Sequence, residues 1–119
     1  MKRTLVIGAS EKPERYANKA IRRLREHGHE VIALAPRPGK VGDVTFETEQ
    51  KDFQDIDTVT LYLGPLNQGS FIDYIIRLKP RRVIFNPGTE NQAFEVQLKE
   101  AGIQPEEACT LVLLGTGQY

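Results

Sequence analysis

The feature that most constrains this sequence is a set of four short apolar runs, rich in β-branched residues, each followed by Gly, Pro or Asn within two positions. The runs are Thr4 to Ile7, Val31 to Leu34, Thr58 to Leu63 and Arg82 to Phe85. Short runs without polar alternation are typical of strands buried on both faces, as the strands of a parallel sheet are. The sequence therefore predicts a parallel sheet that is covered on both sides.

Helical spacing of apolar residues separates these runs. The first helical segment carries Ala17, Ile21 and Leu24 and ends near Gly28, and later segments end near Leu78 and Gly102. Strands that alternate with helices through short right-handed crossovers place helices on both faces of the sheet. We therefore predict one Rossmann-like three-layer α/β domain over residues 1–119, with a doubly wound, mainly parallel five-stranded sheet.

Two segments leave alternatives open. The polar stretch from Val41 to Asp57 is interpreted as a crossover, within which Val44 to Phe46 could form a short extra strand. In the C-terminal segment 103–119, Ile103 to Pro105 could be the fifth strand. Thr110 to Leu114 favours a strand by propensity and a short packed helix by context, and the pattern does not separate the two.

Composition and charge exclude several classes of function. Hydrophobic residues make up 39% of the chain and charged residues 27%, and no apolar run approaches the roughly 20 residues of a membrane helix. We expect a cytoplasmic protein without a membrane partner. The net charge of zero argues against nucleic acid as a partner. The single cysteine, Cys109, can form no internal disulfide and no structural zinc site, so no metal site is predicted.

The charges are nevertheless segregated. Residues 1–40 contain ten Lys or Arg residues against four Glu, which would attract an anionic ligand to the first third of the chain. Arg22, Arg23 and Arg25 are interpreted instead as a solvated helix face, because long cationic side chains commonly cover helix surfaces.

Ligands of open parallel sheets bind beyond the carboxyl ends of the strands, so the loops that follow the strands are the candidate site. In the first loop, Gly8, Ala9 and Ser10 form a turn that lets backbone N–H groups and a helix start approach a phosphate. The loop lacks the GxGxxG pattern, and a plain strand-to-helix turn would also favour Gly at this position. This loop alone therefore does not decide the ligand.

The second loop discriminates better between nucleotides. Enzymes that use NAD place an Asp or Glu at the end of the second strand to accept ribose hydroxyls, whereas Pro36, Arg37 and Lys40 stand here. Positive charge at this position suits a phosphate on the ribose, as NADP and coenzyme A carry. Solvated loop cations are the alternative interpretation.

The segment VIGASEKPERYANKAIRRLREHGHEVIALAP resembles the opening of the small CoA-binding proteins related to the N-terminal domain of the succinyl-CoA synthetase α subunit. The similarity continues through PRPGKVG, the LGP loop and FNPGTENQAFEVQLKEAGI, and so covers nearly the whole chain. The resemblance implies coenzyme A or an acyl-CoA as the ligand. Its nucleotide and phosphate part would contact Gly8, Ala9 and Ser10 and the loop bearing Pro36, Arg37 and Lys40. The pantetheine path would be lined by Gly64, Pro65, Asn86 and Gly88.

Arg15, Tyr16 and Asn18 are further binding candidates that depend on where the first helix begins. Cys109 departs from the family pattern, in which an Arg precedes the cysteine, and is interpreted as a small buried apolar residue. His27 and His29 fall at the opposite end of the sheet, and no grouping of Ser, His and acid is recognisable. We therefore expect binding without catalysis.

Two other functions stay open at this point. One is an NADP-binding oxidoreductase-like protein, and the other is an interaction subunit of a larger acyl-CoA enzyme. A homodimer is also compatible with the sequence.

Overall fold

A seven-stranded sheet forms the centre of the protein, and the computed structural model describes all 119 residues. The strands are β1 (Thr4–Ile7), β2 (Val31–Leu34), β3 (Lys40–Val41), β4 (Val44–Glu47), β5 (Thr58–Leu61), β6 (Arg82–Phe85) and β7 (Gln104–Glu107). The helices are α1 (Tyr16–Glu26), α2 (Gly69–Leu78), α3 (Gln92–Glu100) and α4 (Thr110–Gly115), and a 3₁₀ turn spans Pro65–Asn67. None of the helices is long and apolar enough to cross a membrane.

The strand order is β3-β4-β2-β1-β5-β6-β7, and every neighbouring pair is parallel except β3 with β4. The predicted Rossmann-like α/β class is confirmed, but the predicted count of five strands is wrong. The two additional strands are the β3–β4 hairpin, in which Lys40 pairs with Thr45 and Val41 with Val44. The possible extra strand at Val44 to Phe46 is β4, and β3 is the strand that the sequence did not indicate, because two residues are too few to show a period.

The direction of winding reverses between β1 and β5. The chain proceeds from β1 through β2 to β4 in one direction, and from β5 through β6 to β7 in the other. Ile7 at the end of β1 pairs with Leu34 of β2 on one side and with Leu61 of β5 on the other. In a parallel sheet this reversal opens a crevice beyond the carboxyl ends of the two strands.

Each face of the sheet packs against its own pair of helices, which gives the three predicted layers. Leu5 and Ile7 point into a cluster with α2 and α3, whereas Val6 points into a cluster with α1 and α4, because successive side chains of a strand alternate between faces. All four residues of β1 are fully buried. The apolar runs of the sequence are thus explained by burial on both faces.

The C-terminal segment 103–119 resolves into strand β7 followed by helix α4. Polar contacts hold the start of α4 against the sheet: Asn86 accepts a hydrogen bond from the Thr110 backbone N–H at 2.9 Å, and the hydroxyls of Thr60 and Thr110 are 2.8 Å apart. These contacts depend on residues distant in sequence, so propensity alone could not separate helix from strand for Thr110 to Leu114.

Candidate functional site at the carboxyl edge of the sheet

Gly8 lies at the point where the winding reverses. Its φ is +94°, and a Cβ atom there would be 2.9 Å from the carbonyl oxygen of Tyr62 in the chain that leaves β5. A residue with a side chain would be strained by both the left-handed conformation and this approach. The close contact explains why glycine ends the first strand.

Two cavities flank the loop that follows β2. The first, named the cationic cavity, has a volume of about 440 Å³, and the second, named the switch-point cavity, about 300 Å³. Ala35 and Pro36 contribute to both. The cationic cavity is lined by Ala9, Ser10, Glu11, Lys12, Ala35, Pro36, Arg37, Pro38 and Phe46, and the switch-point cavity by Gly8, Leu34, Ala35, Pro36, Thr48, Gln50, Leu63, Asn67 and Phe71.

Two further cavities of about 200 Å³ each continue along the same edge. The helix-start cavity is lined by Gly8, Ser10, Arg15, Tyr16, Ala17 and Tyr62, and the thiol-side cavity by Tyr16, Tyr62, Asn86, Pro87, Cys109 and Leu111. Each cavity shares at least one lining residue with its neighbour. We call the four together the edge groove.

Hydrogen bonds fix the loop between β1 and α1. The backbone N–H groups of Gly8 and Ala9 both donate to the carbonyl oxygen of Leu34, at 3.1 and 3.2 Å. The hydroxyl of Ser10 accepts a hydrogen bond from the Lys12 N–H at 3.1 Å. The first two residues of the predicted phosphate loop thus use their amides within the protein, and they shape the groove by their small size.

Helix α1 begins beside the helix-start cavity without a cap. No side chain accepts a hydrogen bond from its first N–H groups, and its first turn contains no acidic residue. The first N–H groups of a helix have no acceptor within the helix and carry the positive end of its dipole. The helix start therefore presents unpaired donors to the edge groove.

Four cationic side chains around the groove also have no acidic partner. None of the seven salt bridges in the protein includes Lys12, Arg15, Arg37 or Lys40. Seven other Lys and Arg residues are paired with carboxylates, as Arg25 is with Asp43. Three of the four unpaired cations, Lys12, Arg15 and Arg37, line the groove together with a single acidic residue, Glu11, so the groove has an excess of positive charge.

A buried glutamine connects the loops that follow β5 and β6. The side-chain amide of Gln68 donates to the carbonyl oxygens of Leu63 and Thr89, at 2.9 and 2.8 Å, and its oxygen accepts from Asn91 at 2.9 Å. Gln68 is fully buried, so these loops are held in fixed relative positions. The same contacts hold Leu63 in place on the wall of the switch-point cavity.

The sequence pattern of one family, described as a CoA binding domain, matches residues 2–115 of the chain. The chain belongs to the CoA binding domain family. The predicted resemblance is confirmed at the level of the family, and no curated protein matches the chain.

Solved structures resemble this CoA binding domain along its whole length. A crystal structure of an uncharacterized protein is 49% identical, with a TM-score of 0.98, over 100% of this chain and 98% of the other. A protein from Thermus thermophilus, described as cell-free ID.343, is 23% identical with a TM-score of 0.86, over 99% and 91% of the two chains.

The same fold occurs inside a larger enzyme. A dinucleotide-forming acetyl-coenzyme A synthetase from Ca. Korarchaeum cryptofilum is 14% identical, with a TM-score of 0.67, over 86% of this chain. The matching region is 25% of the synthetase chain. At this identity the likeness shows the fold alone.

Seven of the twelve predicted binding residues of this CoA binding domain line the edge groove. They are Gly8, Ala9, Ser10, Arg15, Pro36, Arg37 and Asn86. The other five, Asn18, Lys40, Gly64, Pro65 and Gly88, do not line these four cavities.

The five residues outside the cavities have local structural roles or lie nearby. Lys40 begins strand β3 and pairs with Thr45. Asn18 is 3% exposed and donates to the carbonyl oxygen of Ser10, so it positions the first loop. Gly64 and Pro65 begin the 3₁₀ turn that carries the groove residue Asn67. Gly88 adopts a φ of +92° in the loop after β6.

Asn86 lies at the thiol-side cavity, but its polar atoms are already used. Its amide donates to the hydroxyl of Thr60 and the carbonyl oxygen of Leu61, at 2.7 and 2.8 Å, and its oxygen accepts from Thr110. Cys109 in the same cavity is half-buried, whereas the sequence predicted a small buried apolar residue. This end of the groove is thus mostly apolar, with Cys109 on its wall.

Sequence reasoning missed several groove residues. Glu11 and Lys12 of the cationic cavity look like solvated loop charges in the sequence, and Tyr62 and Leu63 look like the end of a buried strand. The register of β5 beside β1, with Tyr62 following directly on Leu61, is the signal that could have found Tyr62.

Proposed function

We propose that this CoA binding domain holds coenzyme A or an acyl-CoA in the edge groove and does not itself catalyse a reaction. The phosphates bind at the start of α1 and in the cationic cavity. The pantetheine arm extends toward the thiol-side cavity, where Pro87 and Leu111 supply apolar contact. Membership in the CoA binding domain family supports this choice of ligand.

One observation carries the proposal: an uncapped helix start and three cations without acidic partners, Lys12, Arg15 and Arg37, lie along one connected groove. Backbone N–H groups at a helix start bind phosphate oxygens, and guanidinium groups add charge-assisted hydrogen bonds. Arg15 lines the helix-start cavity and Arg37 the cationic cavity, so two phosphate groups can be contacted at once.

The size and lining of the remaining cavities suit the other parts of the ligand. Leu34, Leu63 and Phe71 give the switch-point cavity apolar walls for an adenine ring. The thiol-side cavity lies on the other side of the helix start, which leaves the phosphates between the ring and the pantetheine arm. This order follows that of the chemical groups in coenzyme A.

Calorimetric titration with CoA, acetyl-CoA, NADP and NAD tests the proposal. We expect CoA or acetyl-CoA to bind and the variant Arg37→Ala to weaken that binding by roughly tenfold or more, because a hydrogen bond to a charged group contributes about 1.5–3 kcal/mol. Lys99→Gln removes one positive charge at the far end of α3 and serves as the control. Binding of NADP without any binding of CoA would overturn the proposal.

The cytoplasmic location and the protein partner are predictions from the sequence. As partners we propose either an acyl-CoA enzyme or a second copy of this chain. The native mass of the purified protein, with and without CoA, distinguishes a monomer from the homodimer. The oxidoreductase alternative requires hydride transfer with bound NADP, which a spectrophotometric assay measures directly.

A further inference from the structure

A carboxylate lies in the cationic cavity, where the sequence predicts only positive charge. Oε2 of Glu11, from the loop after β1, accepts a hydrogen bond from the backbone N–H of Lys40 at 3.0 Å. Glu11 lines the cavity together with Ser10, Lys12 and Arg37. The acidic group that the second loop lacks is therefore supplied by the first loop.

The second loop has space for this carboxylate because residue 39 is glycine. A Cβ atom on Gly39 would be 2.7 Å from Cδ of Glu11 and 3.0 Å from its Oε1. Gly39 does not adopt a positive φ, so its backbone conformation does not itself require glycine. The missing side chain instead makes room for Glu11.

One oxygen of Glu11 is held and the other is available. Oε2 is bound to the Lys40 amide, whereas Oε1 has no hydrogen-bond partner, and Glu11 belongs to none of the salt bridges. A carboxylate fixed in this way can accept a hydrogen bond from a ligand hydroxyl without first being ordered. Lys12 and Arg37 on the same cavity can contact a phosphate beside that hydroxyl.

We propose that Glu11 determines nucleotide specificity by accepting the ribose 2′-hydroxyl and by repelling a phosphate at that position. This inference rests on the proposed function. CoA carries its ribose phosphate at the 3′ position and keeps the 2′-hydroxyl, whereas NADP carries the phosphate at the 2′ position. CoA therefore places a hydroxyl donor against Glu11. NADP places a phosphate dianion against the Glu11 carboxylate, which is unfavourable. Glu11 thus separates the two ligands that the cations alone do not distinguish.

Titration of the wild type and of Glu11→Gln with CoA, dephospho-CoA, NADP and NAD tests this role. The glutamine retains an oxygen for the Lys40 amide but loses the negative charge. We expect NADP affinity to rise about tenfold and the affinities for CoA and dephospho-CoA to fall a few-fold. Glu14→Gln makes the same charge change in the same loop outside the four cavities, and we expect all four affinities to stay within about twofold.

The variant Gly39→Ala tests the same role without removing any charge. Its methyl group pushes the Glu11 carboxylate away from the Lys40 amide, so we expect the preference for CoA over NADP to decrease as in Glu11→Gln. Gly69→Ala adds a methyl group in open space at the start of α2 and is the control.

Equal strengthening of CoA and NADP binding by Glu11→Gln would show a general charge effect and would overturn the inference, as would unchanged affinities. In both cases CoA binding by the wild type would leave the proposed function standing. A wild-type protein that binds no CoA would overturn the proposed function and this inference together.

Discussion

The side-chain amide of Asn18 donates a hydrogen bond to the carbonyl oxygen of Ser10 at 3.0 Å, and so connects the first turn of α1 to the loop before it. Its oxygen accepts a second bond from Nε of Arg22 at 2.8 Å. Asn18 was predicted as a ligand contact, but both ends of its amide are used within the protein. We therefore assign it to the support of the loop.

The variant Asn18→Ala is expected to lose about 1–3 kcal/mol of unfolding free energy, because a buried acceptor is left without its donor. Urea denaturation followed by circular dichroism measures this difference. Asn67→Ala removes an exposed amide and should change stability by less than about 0.5 kcal/mol. Equal effects of the two variants would contradict the role of Asn18.

Gly8 and Gly88 allow the strain of a positive φ to be separated from the effect of close contact. Their φ angles are +94° and +92°, but only Gly8 has a neighbour within reach of a Cβ atom. We expect Gly88→Ala to cost about 1–2 kcal/mol through conformation alone, and Gly8→Ala to cost more. Thermal or urea unfolding of both variants gives the comparison, and a smaller loss in Gly8→Ala would refute it.

Two buried tyrosine hydroxyls differ in their partners. The hydroxyl of Tyr62 has no hydrogen-bond partner, whereas that of Tyr119 contacts the hydroxyl of Thr4. We expect Tyr62→Phe to keep or raise the unfolding free energy and Tyr119→Phe to lower it by about 0.5–1.5 kcal/mol. Urea titrations at neutral pH test the pair, and a larger loss in Tyr62→Phe would show that its hydroxyl is bonded.

Burial raises the pKa of Tyr62 to about 12. Unfolded tyrosine loses its proton near pH 10, so the folded state holds one more proton between these values. The contribution of the protonated Tyr62 hydroxyl to the unfolding free energy is fully present below pH 10. It is lost as the pH rises toward 12, by about 1.4 kcal/mol per pH unit. Urea titrations from pH 10 to 11 should give a shallower decline for Tyr62→Phe than for the wild type. Parallel declines would contradict the assignment.

Glu95 of α3 interacts unfavourably with Glu107 of β7. Burial, followed by a hydrogen bond and charge repulsion from Glu107, raises the pKa of the Glu95 carboxyl, and one of its oxygens has no partner. The folded state therefore favours the protonated form of Glu95. The contribution of this form to the unfolding free energy is lost as the pH rises through the raised pKa.

We accordingly expect Glu95→Gln to raise the urea midpoint at pH 7 and to have a smaller effect near pH 4, where the wild-type carboxyl, with its raised pKa, is already protonated. Glu100→Gln, an exposed change in the same helix, is the control. A midpoint increase that is equal at both pH values would exclude ionisation as its cause.

The sheet was predictable because its central strands are buried on both faces. Thr4–Ile7, Val31–Leu34 and Arg82–Phe85 are strands with the bounds that their apolar runs suggest. For strand β7, with the sequence QPEE, the pattern indicated only a possible strand at Ile103 to Pro105, because an edge strand that pairs with β6 alone needs no continuous apolar run. Runs of apolar residues therefore predict the central strands of this sheet better than its edge strands.

The position of the candidate site could be predicted from the sequence, but the contacts between its side chains could be predicted only in part. Strand order locates the loops at the carboxyl ends of the strands, and Ser10 and Arg37 of two such loops line one cavity. Glu11 meets Gly39 only because two loops distant in sequence fold together, and nothing local in the sequence indicates that encounter.

The reversal of winding between β1 and β5 has a consequence for how this protein can change. Because the crevice arises from the connectivity of the strands, no particular side chain is needed to keep it open. Loops on either side can acquire new chemistry while both apolar clusters stay intact. Substitutions in these loops can therefore change the ligand preference of this protein with little effect on the stability of its fold.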